Sequence, residues 1–573
     1  MRKSEPPTEI GRTKDLSARV EALESALAQA HARAADLERE RDTLRAAYDR
    51  LRLDVELMKR RILVAKAERV DTAQLELEFA SKLAALDALS SSIDEPKSDG
   101  DGPKPSGKPG RKKPLGRRDL TEANLPEDRI EIPDPVYEAK VARGEAERIG
   151  FEESSKLGWQ RGGMRRIVMA RVKYRVAGEV PETTTLATAP IPPETFARSL
   201  AAPSLLAHIA VDKYCDGLPL HRQEDRFARD GVRIDRGTMC RWMEDAGATV
   251  GATVIHAARE EALRTAFCIA GDATGVLVQP LRTEQRRRQP CQRGHYFVQI
   301  ADRDHVFFEY LPKETSAAVG EIFKGFTNYV QVDAKSVYDA LFRPPEDPPP
   351  DGDSDVAVAS EVGCWSHCRR HLWEATVAKS AVAREGLARI QRIFAFERKW
   401  QGRPHAEIKT LRQQFAKPHV DAFFEWAAVE YQKVIGERGL LRSALGYAVR
   451  QKPALTRYLD DGRLVLDNNR SERELRRIAV GRKAWLFVGS DDHAVSAGHL
   501  FSLIASARMH RLDPESYLRD LFRVLGHWPK NRYLELSPRY WVATRARLDA
   551  GELAAELGPL TVPPPLPTPT EQQ

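Results

Sequence analysis

Cysteine is scarce in this chain of 573 residues: there are six, Cys215, Cys240, Cys268, Cys291, Cys364 and Cys368, and none earlier. So thin a supply argues against a disulfide framework and suits a reducing cytosol. Long apolar runs are missing too. No stretch of eighteen apolar residues occurs, so no membrane span is expected, and the opening MRKSEPPTEIGRTKD lacks the apolar segment of a secretory signal. Charge of one sign is not in large excess. The formal net charge is +7, so any attraction for phosphate must come from where the basic residues cluster. The length implies several domains, and 42% hydrophobic residues suffice to give them cores.

Proline and glycine are absent between residues 14 and 90. There an apolar stripe steps by four and three through Leu16, Val20, Leu23, Leu27, Ala30, Ala34, Leu37, Leu44, Tyr48, Leu51, Val55, Met58 and Ile62, broken only by Arg41. A seam of that period predicts a coiled coil, and with it a homo-oligomer, a dimer being the simplest. Residues 1–90 are therefore read as an oligomerisation helix. Residues 91–122 form a flexible basic linker whose Lys112 and Lys113 are candidate phosphate contacts.

Residues 123–185 read as a small β-rich module in which RRIVMARVKYRV (165–176) alternates as a strand would. Residues 186–262 read as helical, and GVRIDRGTMCRWMEDAG (231–247) is similar to the second half of a helix-turn-helix, with a helix starting near Thr238. From 263 to 365 the pattern is α/β: an apolar run around Asp272, a hairpin over 295–311 turning at Asp302–Asp304, and a helix over 315–326. YVQVDAKSVYDAL (329–341) follows as a strand running into another strand. This is the order of a ribonuclease H-like sheet. PPEDPPPDGDSD (344–355) reads as a loop, and 366–460 as an all-helical insertion. Residues 461–510 then complete the α/β domain with a turn, a helix and a short strand. Residues 511–573 hold a helix capped near Asp513 and a disordered tail, TVPPPLPTPTEQQ. The fold class is thus multidomain α+β.

Asp272 sits inside an apolar, β-prone run and Asp333 at the end of another. A lone carboxylate there is costly unless it is paired or binds metal. Phosphoryl transfer on DNA uses such acids to hold divalent ions. For a third acid the residues leave Glu472, Asp467 and Glu474 open. Asn469 with Glu472 three residues on is also the pattern of a capping box. Basic residues crowd the neighbourhood: Arg470, Arg473, Arg476, Arg482 and Lys483 around Glu472, and Arg282, Arg286, Arg287, Arg288 and Arg293 in the loop after the Asp272 strand. All are candidate DNA contacts. Cys364, His367, Cys368 and His371 lie one helical turn apart in pairs, but on one segment, so a buried helix start is preferred to zinc.

At this point the chain resembles the DDE transposases of insertion-sequence family 66. The resemblance rests on Asp467-Asn468-Asn469, Glu472-Arg473, Gly481-Arg482-Lys483, Trp485-Leu486-Phe487 and Gly489-Ser490. It rests also on Cys364-Trp365 with His367 and Arg369-Arg370, on Lys213-Tyr214 with Leu218-Pro219-Leu220, and on Leu512-Asp513-Pro514. It implies that Asp272, Asp333 and Glu472 are a catalytic triad holding two Mg²⁺ (or Mn²⁺) ions. The partners it implies are the element's double-stranded terminal repeats, target DNA and small accessory proteins of the element, and the location is the bacterial cytoplasm at the nucleoid. Two departures stand out. The first acid is followed by Ala273 where the family usually has Glu, and the zinc-finger-like module has no cysteines here. The expected activity is Mg-dependent strand cleavage and strand transfer. A catalytically degenerate, coiled-coil DNA-binding protein is the alternative.

Overall fold

The computed structural model describes residues 125–160, 163–177, 184–197, 199–280, 290–343, 358–377 and 380–567, with seven separate positions between Ser25 and Leu37. Those seven belong to a unit of their own and are all helical and exposed, Leu27 and Leu37 of the apolar stripe among them. The rest of the expected coiled coil, the basic linker and the 344–355 loop lie outside the described residues.

The alternation between Arg165 and Val176 does form a strand. In the first sheet β1 (Glu127–Ile132), β2 (Ala146–Gln160) and β3 (Gly163–Ala177) take the order β1-β3-β2, and β4 (Thr184–Thr188) pairs with β3. A short helix, α1 (Pro135–Ala142), follows β1, capped by the Asp134 carboxylate. The inward positions Ile167, Met169, Val172 and Tyr174 make a small core of their own.

Three helices follow: α2 (Pro203–Tyr214), α3 (Leu220–Arg229) and α4 (Arg236–Val250). A π-helical turn then leads into α5 (His256–Thr265). Asp235 caps α4, which starts at Arg236, two residues before the expected start near Thr238. Met239, Trp242, Met243 and Ala246 bury one face of α4, while Arg236 and Arg241 are exposed.

The second sheet contains β5 (Cys268–Val278), β6 (Gln292–Ala301), β7 (His305–Leu311), β8 (Tyr329–Gln331) and β9 (Ser360–Val362), in the order β7-β6-β5-β8-β9. The β5–β6 and β6–β7 pairs are antiparallel; β5–β8 and β8–β9 are parallel. Between β7 and β8 lies α6 (Ser316–Ile322), capped by Thr315. The expected second strand after β8 is instead a 3₁₀ turn, Ser336–Phe342. Its apolar residues meet at a spacing of three to four rather than two, which buries Tyr338.

Helices α7 (Trp365–Val377), α8 (Ala381–Trp400), α9 (His405–Leu411), α10 (Lys417–Val434), α11 (Leu440–Arg450) and α12 (Lys452–Thr456) occupy the predicted helical stretch. They share a separate core around Trp365, Phe423 and Phe424. The chain returns to the second sheet through α13 (Asn469–Trp485). α13 extends to Trp485, where a short closing strand was expected to follow the helix, and among the described residues a single bridge, Val278 to Val488, ties the next segment to β5.

α14 (Asp491–Met509) closes the sheet's edge. Its Ser502 and Ser506 hydroxyls accept the Phe308 and Val306 N–H groups of β7 at 2.8 and 2.9 Å. Gly498 allows that approach, because a Cβ there would stand 2.4 Å from the Phe308 carbonyl. The chain ends in α15 (Pro514–Val524), capped by Asp513 as predicted, α16 (Pro538–Arg545) and α17 (Ala550–Ala554). Thr561–Pro567, read above as unstructured, instead lie against the body. Pro563 O accepts from Arg532 at 2.9 Å and Leu566 N donates to Glu535 at 3.2 Å. Proline-rich backbone has few donors to satisfy, so two anchors of this kind suffice. Among the described residues no helix is long and apolar enough to cross a membrane.

Candidate functional site

Register puts two acids side by side. Ala270 pairs with Gln331 in the parallel β5–β8 ladder, and two residues further along each chain stand Asp272 and Asp333. Because side chains repeat every second residue, both project from the same face.

The third acid arrives from 139 residues later in the chain, and three hydrogen bonds bring it there. Gln331 Nε2 donates to Val465 O at 2.7 Å, Trp365 N to Leu466 O at 3.1 Å, and Asn468 Nδ2 to Gly271 O at 2.7 Å. α13 therefore starts against the residue that precedes Asp272, with Glu472 in its first turn. The expected capping box does not form. Asn468 is the N-cap and Asn469 the first helical residue, because the Asn468 amide is committed to β5. The competing acids are engaged elsewhere: Asp467 accepts the Asn469 N–H, and Glu474 pairs with Arg477 at 3.1 Å.

The acids sense one another. Burial pushes the Asp272 carboxyl up to about 6; Asp333 and Glu472 add to the rise, against the Ala273 N–H and Lys335. Burial disfavours the Lys335 ammonium, yet Asp333, Glu314 and Asp272 together hold it above its usual range. Lys335 Nζ stands 3.4 Å from Asp333 and 3.7 Å from Glu314. Glu472 Oε1 accepts from Arg370 of α7 at 2.8 Å, with His367 Nε2 at 3.8 Å. Burial and Arg370 push the His367 imidazole down, against Asp333 and Glu472.

The donor set is all oxygen, as magnesium or manganese prefers. Asp333 Oδ1 is buried and has no hydrogen-bond partner, so one ligand position fits such an ion without rearrangement. Glu472, held by Arg370, does not complete a group: among the described residues no three His, Cys, Asp or Glu side chains stand together as a metal site. Cys364 and Cys368 are buried free thiols at the start of α7, beside fully buried Trp365.

The basic residues divide. Arg473, Arg476 and Lys483 are exposed on α13. Arg470 is drawn inward toward Asp302 O at 3.4 Å, and Arg482 bonds the Gly275 carbonyl of β5. Arg293 lies in β6 rather than in the preceding loop, its guanidinium over Gly275. Arg282, Arg286, Arg287, Arg288, Lys112 and Lys113 lie outside the described residues. Sequence reasoning missed Lys335, Glu314 and Arg370. Lys335, two residues beyond Asp333, was the one with a local signal.

A family model described as Transposase IS66 family matches residues 198–496, and one described as IS66 C-terminal element matches 502–538. Among similar proteins of Sinorhizobium fredii (strain NBRC 101917 / NGR234), the uncharacterized protein y4qI is 28% identical over 71% of this chain and 74% of its own length. The uncharacterized protein y4jD is 26% identical over 86% of this chain and 94% of its own.

Proposed function

Because the chain belongs to the IS66 transposase family, we propose that it cuts DNA at the ends of its element and joins the freed strand to a target, with Asp272, Asp333 and Glu472 as the catalytic acids. The observation that carries this reading is the placement of Asp272 and Asp333 two residues beyond a paired register of neighbouring parallel strands, with Asp333 keeping a buried, unpartnered oxygen; Glu472 is near enough for its charge to act on Asp272. The sheet order, with three antiparallel strands followed by two parallel ones, supports a ribonuclease H-like catalytic domain.

Asp272, Asp333 and Glu472 would hold Mg²⁺ or Mn²⁺, which when bound generates the nucleophile and stabilises the leaving oxygen. The chain's own residues supply position. Lys335, 3.4 Å from Asp333, sets a positive charge beside the two aspartates. Arg370 restrains Glu472 and offers a cation at the site's edge. Exposed Arg473 and Arg476 grip phosphates without reading sequence.

The test is strand cleavage by purified protein on DNA carrying the element's ends with Mg²⁺. Asp333→Asn should lower the rate by about three orders of magnitude, roughly 4 kcal/mol in barrier, with DNA affinity little changed. Normal cutting by that variant would remove Asp333 from the triad. The alternative, a DNA-binding protein that no longer cuts, is favoured by Ala273 and by the Arg370–Glu472 pair; it predicts no cleavage by the unaltered chain. Dimerisation through residues 1–90 forms part of this reading. Deleting them should lower the mass in light scattering, and an unchanged mass would refute it.

A further inference from the structure

Two cavities adjoin on the flank of α13, away from the carboxylates. The first, of about 360 Å³, is lined by Lys213, Arg473, Arg476, Arg477 and Arg508 with one acid, Asp216. Five cations against one carboxylate raise a strong positive potential. Among the described residues only Arg477 of the five has a carboxylate partner, Glu474. The second cavity, of about 540 Å³, is mainly apolar, and Lys213, Tyr214, Trp485 and Phe501 belong to both. Tyr296 and Phe487 add further aromatic rings. Among its polar groups, His493 is fixed at both ring nitrogens: Nδ1 meets Ser490 Oγ at 2.7 Å, and Nε2 meets Glu244 at 3.1 Å.

The mouth of the second cavity is strained. Leu486 ends α13 at φ 65°, a conformation costly for a bulky residue, and its side chain is 63% exposed. Phe487 beside it is also exposed. This solvent-facing Leu-Phe pair, at the turn that ends α13, has the form of an apolar wedge. Lys213-Tyr214 and Trp485-Leu486-Phe487, about 270 residues apart in the chain, meet at this cavity.

We propose that the two cavities are one nucleotide-binding site, in which an unpaired DNA base enters the apolar cavity and its flanking phosphates lie in the cationic cleft. Phosphates account for the unpaired arginines and a flat base for the aromatic walls, with His493 and Glu244 facing its edge. The inference rests on DNA being the substrate. Thirteen residues of helix separate Glu472 from Trp485, about 20 Å.

The test compares binding of two strands to the full chain: a twelve-residue oligothymidylate, and a strand of equal length made only of abasic sites. Wild type should bind the first at least about tenfold tighter. Leu486→Ala with Phe487→Ala, both at exposed positions, should erase that preference and leave abasic binding intact. Arg476→Ala with Arg508→Ala should weaken both strands alike and flatten the salt dependence. Equal binding of the two strands by wild type would overturn the proposal, as would a preference that survives Leu486→Ala with Phe487→Ala. Displacement of oligothymidylate by dTMP at equal concentration would show a free-nucleotide site and overturn the strand reading. Cleavage is measured separately: a wild type that fails to cut yet keeps the base preference would fail the catalytic reading alone.

Discussion

Two centres of buried charge in this molecule are built in opposite ways. In the helical stretch Arg412 is 2% exposed, and all five of its N–H donors are used. Two go to Glu397 at 2.8 and 2.7 Å, and three to the carbonyls of Tyr458, Asp461 and Leu464. In the second sheet Asp333 keeps an oxygen without a partner, and Asp272 is held near the edge of protonation by burial and like charge. A buried ion whose bonding capacity is exhausted inside the fold holds elements together. One left short of partners keeps capacity for a ligand from outside.

That contrast can be broken by substitution. Arg412→Met should strand Glu397 and destabilise the protein by about 3–5 kcal/mol, read as a lower midpoint in denaturant unfolding. Asp333→Asn, which should slow cutting about a thousandfold, is expected to leave that midpoint unchanged or raise it slightly, because it removes one of two neighbouring like charges while Lys335 keeps Glu314 as a partner. A matching loss in both variants would mean that Asp333 is scaffold as well. The smallest effect is a pH dependence. The folded protein holds the Asp272 proton more tightly than the unfolded chain does. Stability from this group is therefore present at the acid end and is lost as pH rises from about 3.8 to about 6. Without added metal, Asp272→Asn should flatten the unfolding curve across that window. An unchanged slope would mean that Asp272 is solvated.

Much of this was legible locally. β3, the β6–β7 hairpin and the Asp513 cap each follow from a period or a cap within a dozen residues. The strands bearing Asp272 and Asp333 were readable because an acid stands out in an apolar run. What failed depended on distant partners. The pattern Asn469–Glu472 is a sound capping box until Asn468 finds Gly271, 197 residues away. Glu472 and Arg476 have helix spacing, yet the carboxylate goes to Arg370 across 102 residues. Arg470 looks like its exposed neighbours in sequence and differs only in the side of α13 it occupies. The 3₁₀ turn after β8 had an apolar pattern that both periods could claim.

The small first sheet has one further property. Its core includes Leu557, and Glu556 reaches Arg165 across 391 residues while accepting the Ser204 N–H at 3.1 Å. During synthesis, then, a module begun near residue 127 waits unfinished while nearly four hundred residues are added, on the order of tens of seconds at ribosomal speed. Until Leu557 clears the ribosome its apolar floor stays open, so residues near 557 decide when this module becomes complete.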